Sequence, residues 1–142
     1  MSAGRKSFLI FTLSGARYAF DLSQVAEVIE QTDTWPIPLA PDYYRGAMNF
    51  HGSIVAVMDL GDFLRQPGDT GQEKIIVAHP AIAALAFAVE SVSRIIPLGP
   101  NDWTVTASGQ PFVSGRLNLP DGTATLLDMA AIAGHAAETI NG

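Results

Sequence analysis

The 142-residue chain contains no cysteine. Disulfide staples, thiolate nucleophiles and zinc–thiolate centres are therefore excluded, and the composition suits a reducing compartment. Charge is scarce as well, at 15% of residues, and eight scattered Lys and Arg face fourteen Asp and Glu for a net charge of −6. Nucleic-acid binding needs a basic stripe to displace phosphate counterions, so no nucleic-acid partner is expected. Long apolar runs are missing too. Phe8–Leu13, after the short basic start, is too brief for a secretory segment and is followed by Gly15 and Arg17. It reads as a first strand after a tail. Nothing approaches the length that spans a bilayer. A cytoplasmic protein with no direct membrane insertion is expected.

Catalytic constellations are also wanting. His51, His79 and His135 lack metal-ligand spacing. Acidic residues occur singly at strand ends. Gly68–Gly71 lacks the Lys-Ser/Thr of a phosphate loop. The expectation is no enzyme, no metal and no cofactor.

What is present is β structure. Phe8–Leu13, Tyr18–Asp21, Val25–Glu30, Glu73–Ala78, Ile82–Val89, Ser91–Leu98, Phe112–Leu119 and Thr123–Leu127 read as strands, being rich in β-branched and aromatic residues. Leu22–Gln24 reads as a bend or one helical turn. The three prolines of Trp35–Pro41 mark an edge or connecting segment. Asp42–Tyr44 suits a capped helical turn, Asp59–Leu64 a short helix, Gln66–Gln72 a loop and Asp128–Glu138 an alanine-rich C-terminal helix. The fold class is all-β, in a chain long enough to bury a core unaided.

Residues 41–60 carry the most information. Gly46 and Gly52 pin a tight hairpin with Asn49 and His51 near its bend, and Ile54–Met58 runs on to Asp59-Leu60. A second hairpin with Ser114-Gly115 ends in Leu126-Leu127-Asp128-Met129. This weak internal echo suggests two small barrels, each of about half the chain.

Order and spacing resemble the CheW family of chemotaxis coupling proteins over about residues 6 to 135. The matching positions include Tyr18 and Asp21, Val25-Ala26-Glu27-Val28-Ile29, Pro38 and Pro41, and Gly46-Ala47-Met48-Asn49. Gly52-Ser53-Ile54-Val55, Val57-Met58-Asp59-Leu60, Ile75-Ile76-Val77, Val89-Glu90-Ser91-Val92, Gly115 and Leu126-Leu127-Asp128 complete the set. The family's arginine before the second glycine is His51 here, its following proline is Ala56, and the arginine that often follows Asp-Leu is Gly61. The resemblance implies a single CheW-like domain over 1–142, built from two intertwined SH3-like five-stranded β-barrels of approximate boundaries, packed together, with short helices and a C-terminal helix. It implies a non-catalytic adaptor between a chemoreceptor cytoplasmic tip, docked between the barrels, and the regulatory domain of a CheA-type histidine kinase at barrel ends. The start at Met1 and the end after one domain suit a stand-alone adaptor rather than a module of a larger kinase.

The partner-binding candidates are Val25, Glu27, Val28, Gly46, Asn49, His51, Gly52, Val92 and Ile95. Several have plainer readings. Val25 and Val28 fit a core strand with Glu27 solvated, and Asn49 fits an Asn bonded to its own turn. The glycines are backbone devices. His51 should be exposed, and the resemblance places it in an interface. Val92 and Ile95, three apart, fit a core strand with a bulge between them; the alternative turns one outward. A rival function is a small-ligand-binding β-barrel lined by Trp35, Trp103 and tyrosines, although barrels of this size are usually filled by their own side chains.

Overall fold

The computed structural model of this chain describes residues 5–65, 74–105 and 110–141. The loop expected over Gln66–Gln72, with Gly68–Gly71, lies outside these residues. The chain forms β1 (Lys6–Leu13), β2 (Ala16–Asp21), a 3-10 turn (Leu22–Gln24), β3 (Val25–Glu30), β4 (Tyr44–Phe50), β5 (Ser53–Asp59) and α1 (Leu60–Phe63). It continues as β6 (Lys74–Ala78), β7 (Leu85–Val89), β8 (Ser91–Leu98), β9 (Trp103–Val105), β10 (Val113–Leu119), β11 (Gly122–Leu127) and α2 (Met129–Asn141).

Two sheets result, ordered β8-β1-β2-β11-β10-β9 and β3-β6-β7-β5-β4. They are the two SH3-like barrels, the first carrying β9 as a sixth, three-residue strand that sequence pattern did not reveal. The barrels do not divide the chain into halves, however. β1 and β2 start the first barrel, β3 to β7 build the second, and β8 to β11 return to finish the first.

The internal echo is real, and it is interleaved. Leu9 pairs with Phe20 and Ile95 just as Ile76 pairs with Phe87 and Val28. Parallel pairing of Thr125 with Tyr18 repeats that of Ala56 with Leu85. Register shifts repeat too, after Tyr44 before Gly46 and after Val113 before Gly115. Asp59 and Asp128 each cap a helix: Asp59 Oδ1 accepts from Asp62 N, and Asp128 Oδ1 accepts from Ala131 N, both at 3.0 Å. Carboxylates at these helix starts satisfy backbone donors that the first turn leaves unpaired.

Side-chain alternation sends each strand's two faces into different cores. From β1, Phe8 and Ile10 enter the first barrel with Ala19, Leu117 and Ala124. Leu9 and Phe11 enter the seam between barrels with Phe20, Met58, Ile76, Phe87 and Leu127. The second barrel is filled by residues such as Met48, Val55, Val57, Ile75 and Val77. Trp35 is 46% exposed, and Trp103 packs edge-on to Phe8 at 5.9 Å, against the first barrel's core.

Two local expectations are corrected and a third holds. Asp42–Tyr44 is no helical turn; Tyr44 N donates to Pro41 O at 3.0 Å, and β4 begins at once. The strand expected from Ile82 begins only at Leu85, because Ile82 N turns back to His79 O and Ala81 N to His79 Nδ1. Trp35–Pro41 is connecting chain as expected, with one bridge, Trp35 to Ala47.

Candidate partner-binding face

The β4–β5 hairpin closes with Phe50 paired to Ser53. Its two turn residues, His51 (φ 50°) and Gly52 (φ 86°), are both left-handed, as a two-residue turn matched to strand twist requires. Histidine tolerates this region better than most side chains. Asn49 Oδ1 accepts from Gly52 N at 3.0 Å, so Asn49 serves its own turn, the plainer of its two readings. Gly46 lies inside β4 rather than at the bend. A Cβ there would stand 2.3 Å from Trp35 O, so the bridge to Trp35 requires glycine.

β3 and β4 are opposite edges of the second sheet. Curling the sheet brings them together, and His51 Nε2 meets Glu27 Oε1 at 3.3 Å. The side chains are 72% and 47% exposed. Such a pair contributes little to stability, on the order of 0–1 kcal/mol, and both groups stay available to a partner. The His51 ring also lies on Phe50, with centroids 4.3 Å apart.

Glu27, Asn49, His51 and Gly52 thus share one end of the second barrel. Val25, Val28 and Val92 are half-buried along the seam, packed against its core. Gly46 is buried and acts through the backbone. Ile95 departs from the plainer in-core reading. The register shift is present between Ile10 and Phe11, opposite Arg94 and Val92. Beyond it Ile96 packs on the first barrel's core, so Ile95 shares the seam-side face of its partner Leu9 and is left 56% exposed.

Sequence reasoning missed a second cluster. Arg94 holds the place in β8 that Glu27 holds in β3, and its Nη2 donates to Asp121 Oδ1 at 3.2 Å. Arg17 donates to the same oxygen at 2.9 Å and to Asp121 O at 2.8 Å. The Arg17 hydrogen bond holds the Asp121 carboxyl below the usual range against the opposing effect of desolvation, with further help from its own backbone and from Arg17 and Arg94 charges. Each barrel thus carries a polar contact between its bulged strand and its hairpin tip, with the carboxylate on the strand in one and on the tip in the other. The repeat was the signal that would have found it.

Among the described residues no group of His, Asp and Glu is placed to hold a metal ion. No helix among them is long and apolar enough to cross a membrane. Two filled barrels, with a solvent-facing end of mixed polar and apolar groups, define a protein-interaction module.

The chain belongs to the CheW-like domain family, which residues 7–137 match. It is 29% identical over 105 residues to the chemotaxis protein CheW of Thermotoga maritima, covering 73% of this chain and 70% of that one. With the chemotaxis protein CheW of Klebsiella aerogenes it shares 30% identity over 95 residues, 66% of this chain and 57% of that protein's length. The crystal structure of scaffolding protein TtCheW from Thermoanaerobacter tengcongensis superposes with a TM-score of 0.78 at 23% identity, over 87% of this chain and 89% of that one. Membership places the chain among non-catalytic chemotaxis adaptors.

Proposed function

We propose that this chain is a cytoplasmic, single-domain adaptor. It holds a chemoreceptor cytoplasmic tip along the seam beside Val25, Val28, Val92 and Ile95. At a barrel end it holds the regulatory domain of a CheA-type histidine kinase. Binding both raises the effective concentration of each for the other. Signal passes when receptor state changes the geometry or affinity of the bound kinase.

The Glu27–His51 contact carries this reading. It joins a strand bordering the seam to the hairpin tip, so one body offers two adjoining faces with a charged selector between them. Charged selectors of this kind give specificity and register more than affinity. Gly46, Asn49 and Gly52 hold the tip in shape.

The reading is tested by size-exclusion chromatography of the protein with the regulatory domain of each CheA-type kinase from the same cell, at micromolar concentration. Co-elution with one of them is expected. Separate elution in every mixture overturns the kinase half of the proposal.

A further inference from the structure

The two barrel ends differ in one respect that the repeat makes measurable. In the first barrel, Arg17 at the start of β2 lies across the hairpin of β10 and β11. Its Nη2 occupies the space over Gly122, where a Cβ would stand only 2.1 Å away. Its guanidinium is tied to the Asp121 carboxylate and carbonyl. That barrel end is plugged by the chain's own arginine.

The equivalent position in the second barrel is Ala84, just before β7, whose carbonyl accepts from Ala56 N at 3.1 Å. Alanine has no stem to lay across the hairpin and no charge to offer. The result is an open, mainly apolar cavity of about 250 Å³ among Phe50, His51, Val55, Val77, Ala78 and Ala84. His51, one of its lining residues, meets Glu27, the carboxylate that replaces Arg94 in the repeat.

We propose that this cavity is a socket for an arginine side chain of a bound protein. The aliphatic stem fills the space that Arg17 covers in the first barrel, and the guanidinium pairs with Glu27. Charge complementarity selects the occupant: His51 in the wall holds a half-exposed carboxylate beside the cavity, and the walls are mainly apolar. Arginine side chains commonly bury their stems along apolar surface while keeping the head on a polar partner, and the planar fork suits a carboxylate. The proposal rests on the reading of the hairpin tip as a partner face and adds the chemistry that face selects.

The test does not need the partner. Isotope-labelled protein is titrated with Nα-acetyl-arginine amide and, separately, with the neutral isostere Nα-acetyl-citrulline amide. Amide signals of His51, Ser53, Ala83 and Ala84 are expected to shift, with arginine preferred by about fivefold or more, the scale of one exposed charge pair. Glu27→Gln should erase that preference. Ala84→Arg should supply the plug in cis and abolish binding of both probes. Equal response to the two probes, or shifts that fall elsewhere on the surface, overturns the proposal, as does an undiminished response in Ala84→Arg. Glu27→Gln alters one exposed side chain and keeps the test decisive where Ala84→Arg fails to fold. Arginine binding at the socket without any kinase complex would sink the partner reading alone.

Discussion

Phe20 and Phe87 hold the same place in the two repeats, and their rings meet at the centre of the molecule with centroids 5.2 Å apart. Both are fully buried. The seam between barrels is therefore nucleated by a residue packing against its own counterpart. Truncating either to alanine is expected to cost about 3–5 kcal/mol, and a double-mutant cycle should return a coupling of about 0.5–1.5 kcal/mol. Denaturant unfolding measures both. Strict additivity would show that the rings do not stabilise each other.

Gly46 and Gly115 are steric necessities. An added Cβ would lie 2.3 Å from Trp35 O at Gly46 and 2.1 Å from Thr104 O at Gly115. Gly46 also has φ +146°, which side chains rarely adopt. Alanine at either position should destabilise by more than about 1 kcal/mol. Gly99→Ala, whose nearest neighbour is Asp102 Oδ2 at 3.8 Å, should change the melting temperature little. Melting curves with all three variants unchanged would remove the bulges from the list of fold determinants.

His51→Arg should place a permanent charge and a five-donor fork against Glu27. The fold should survive, because the side chain is exposed and the left-handed turn costs arginine on the order of 1–3 kcal/mol at most. Partner binding should strengthen or change target. Calorimetric titrations with receptor and kinase fragments check this; identical affinities for both would take His51 out of the interface. The same series with His51→Asn, which also tolerates the left-handed turn, should show a stability change below about 1 kcal/mol, separating binding from folding.

Acid sensitivity should reside partly in Asp121. Its folded carboxyl lies below the usual range, held there chiefly by the Arg17 hydrogen bond. The contribution is complete above the unfolded carboxylate pKa of about 4 and fades as pH falls through the lower folded value. Asp121→Asn should flatten the stability–pH curve below about pH 4 and leave its shape near neutrality unchanged. An unaltered acid limb would show that the fastening is not maintained by that charge.

Much of the fold was legible because its signals are local. Val25–Glu30 reads as a strand from its β-branched residues, and the structure places β3 over the same span. The Pro120-Asp121 turn between apolar runs gave the β10–β11 hairpin, observed with Leu119 paired to Gly122. Asp59 and Asp128 announced helix starts. Less legible was Leu85–Val89, whose run from Ile82 has no periodic marker for the point where the turn ends. β9 escaped because three residues carry too little pattern. Of the candidate face, Asn49 and the exposure of His51 followed from hairpin chemistry, whereas the exposure of Ile95 depended on which neighbours cover it.

The sequence by itself determined the strands, their turns, the absence of cysteine chemistry and the repeated hairpin with its glycine and aspartate. These follow from backbone sterics and from a side-chain period that needs only near neighbours. Tertiary structure alone decided that β1 and β2 close one barrel with β8 to β11 while β3 to β7 form the other. It also decided that Glu27 meets His51 and that Arg17 plugs one end while Ala84 leaves the other open. Strand partners are chosen by long-range register and by shared burial of both faces, and no local stretch of residues contains that choice.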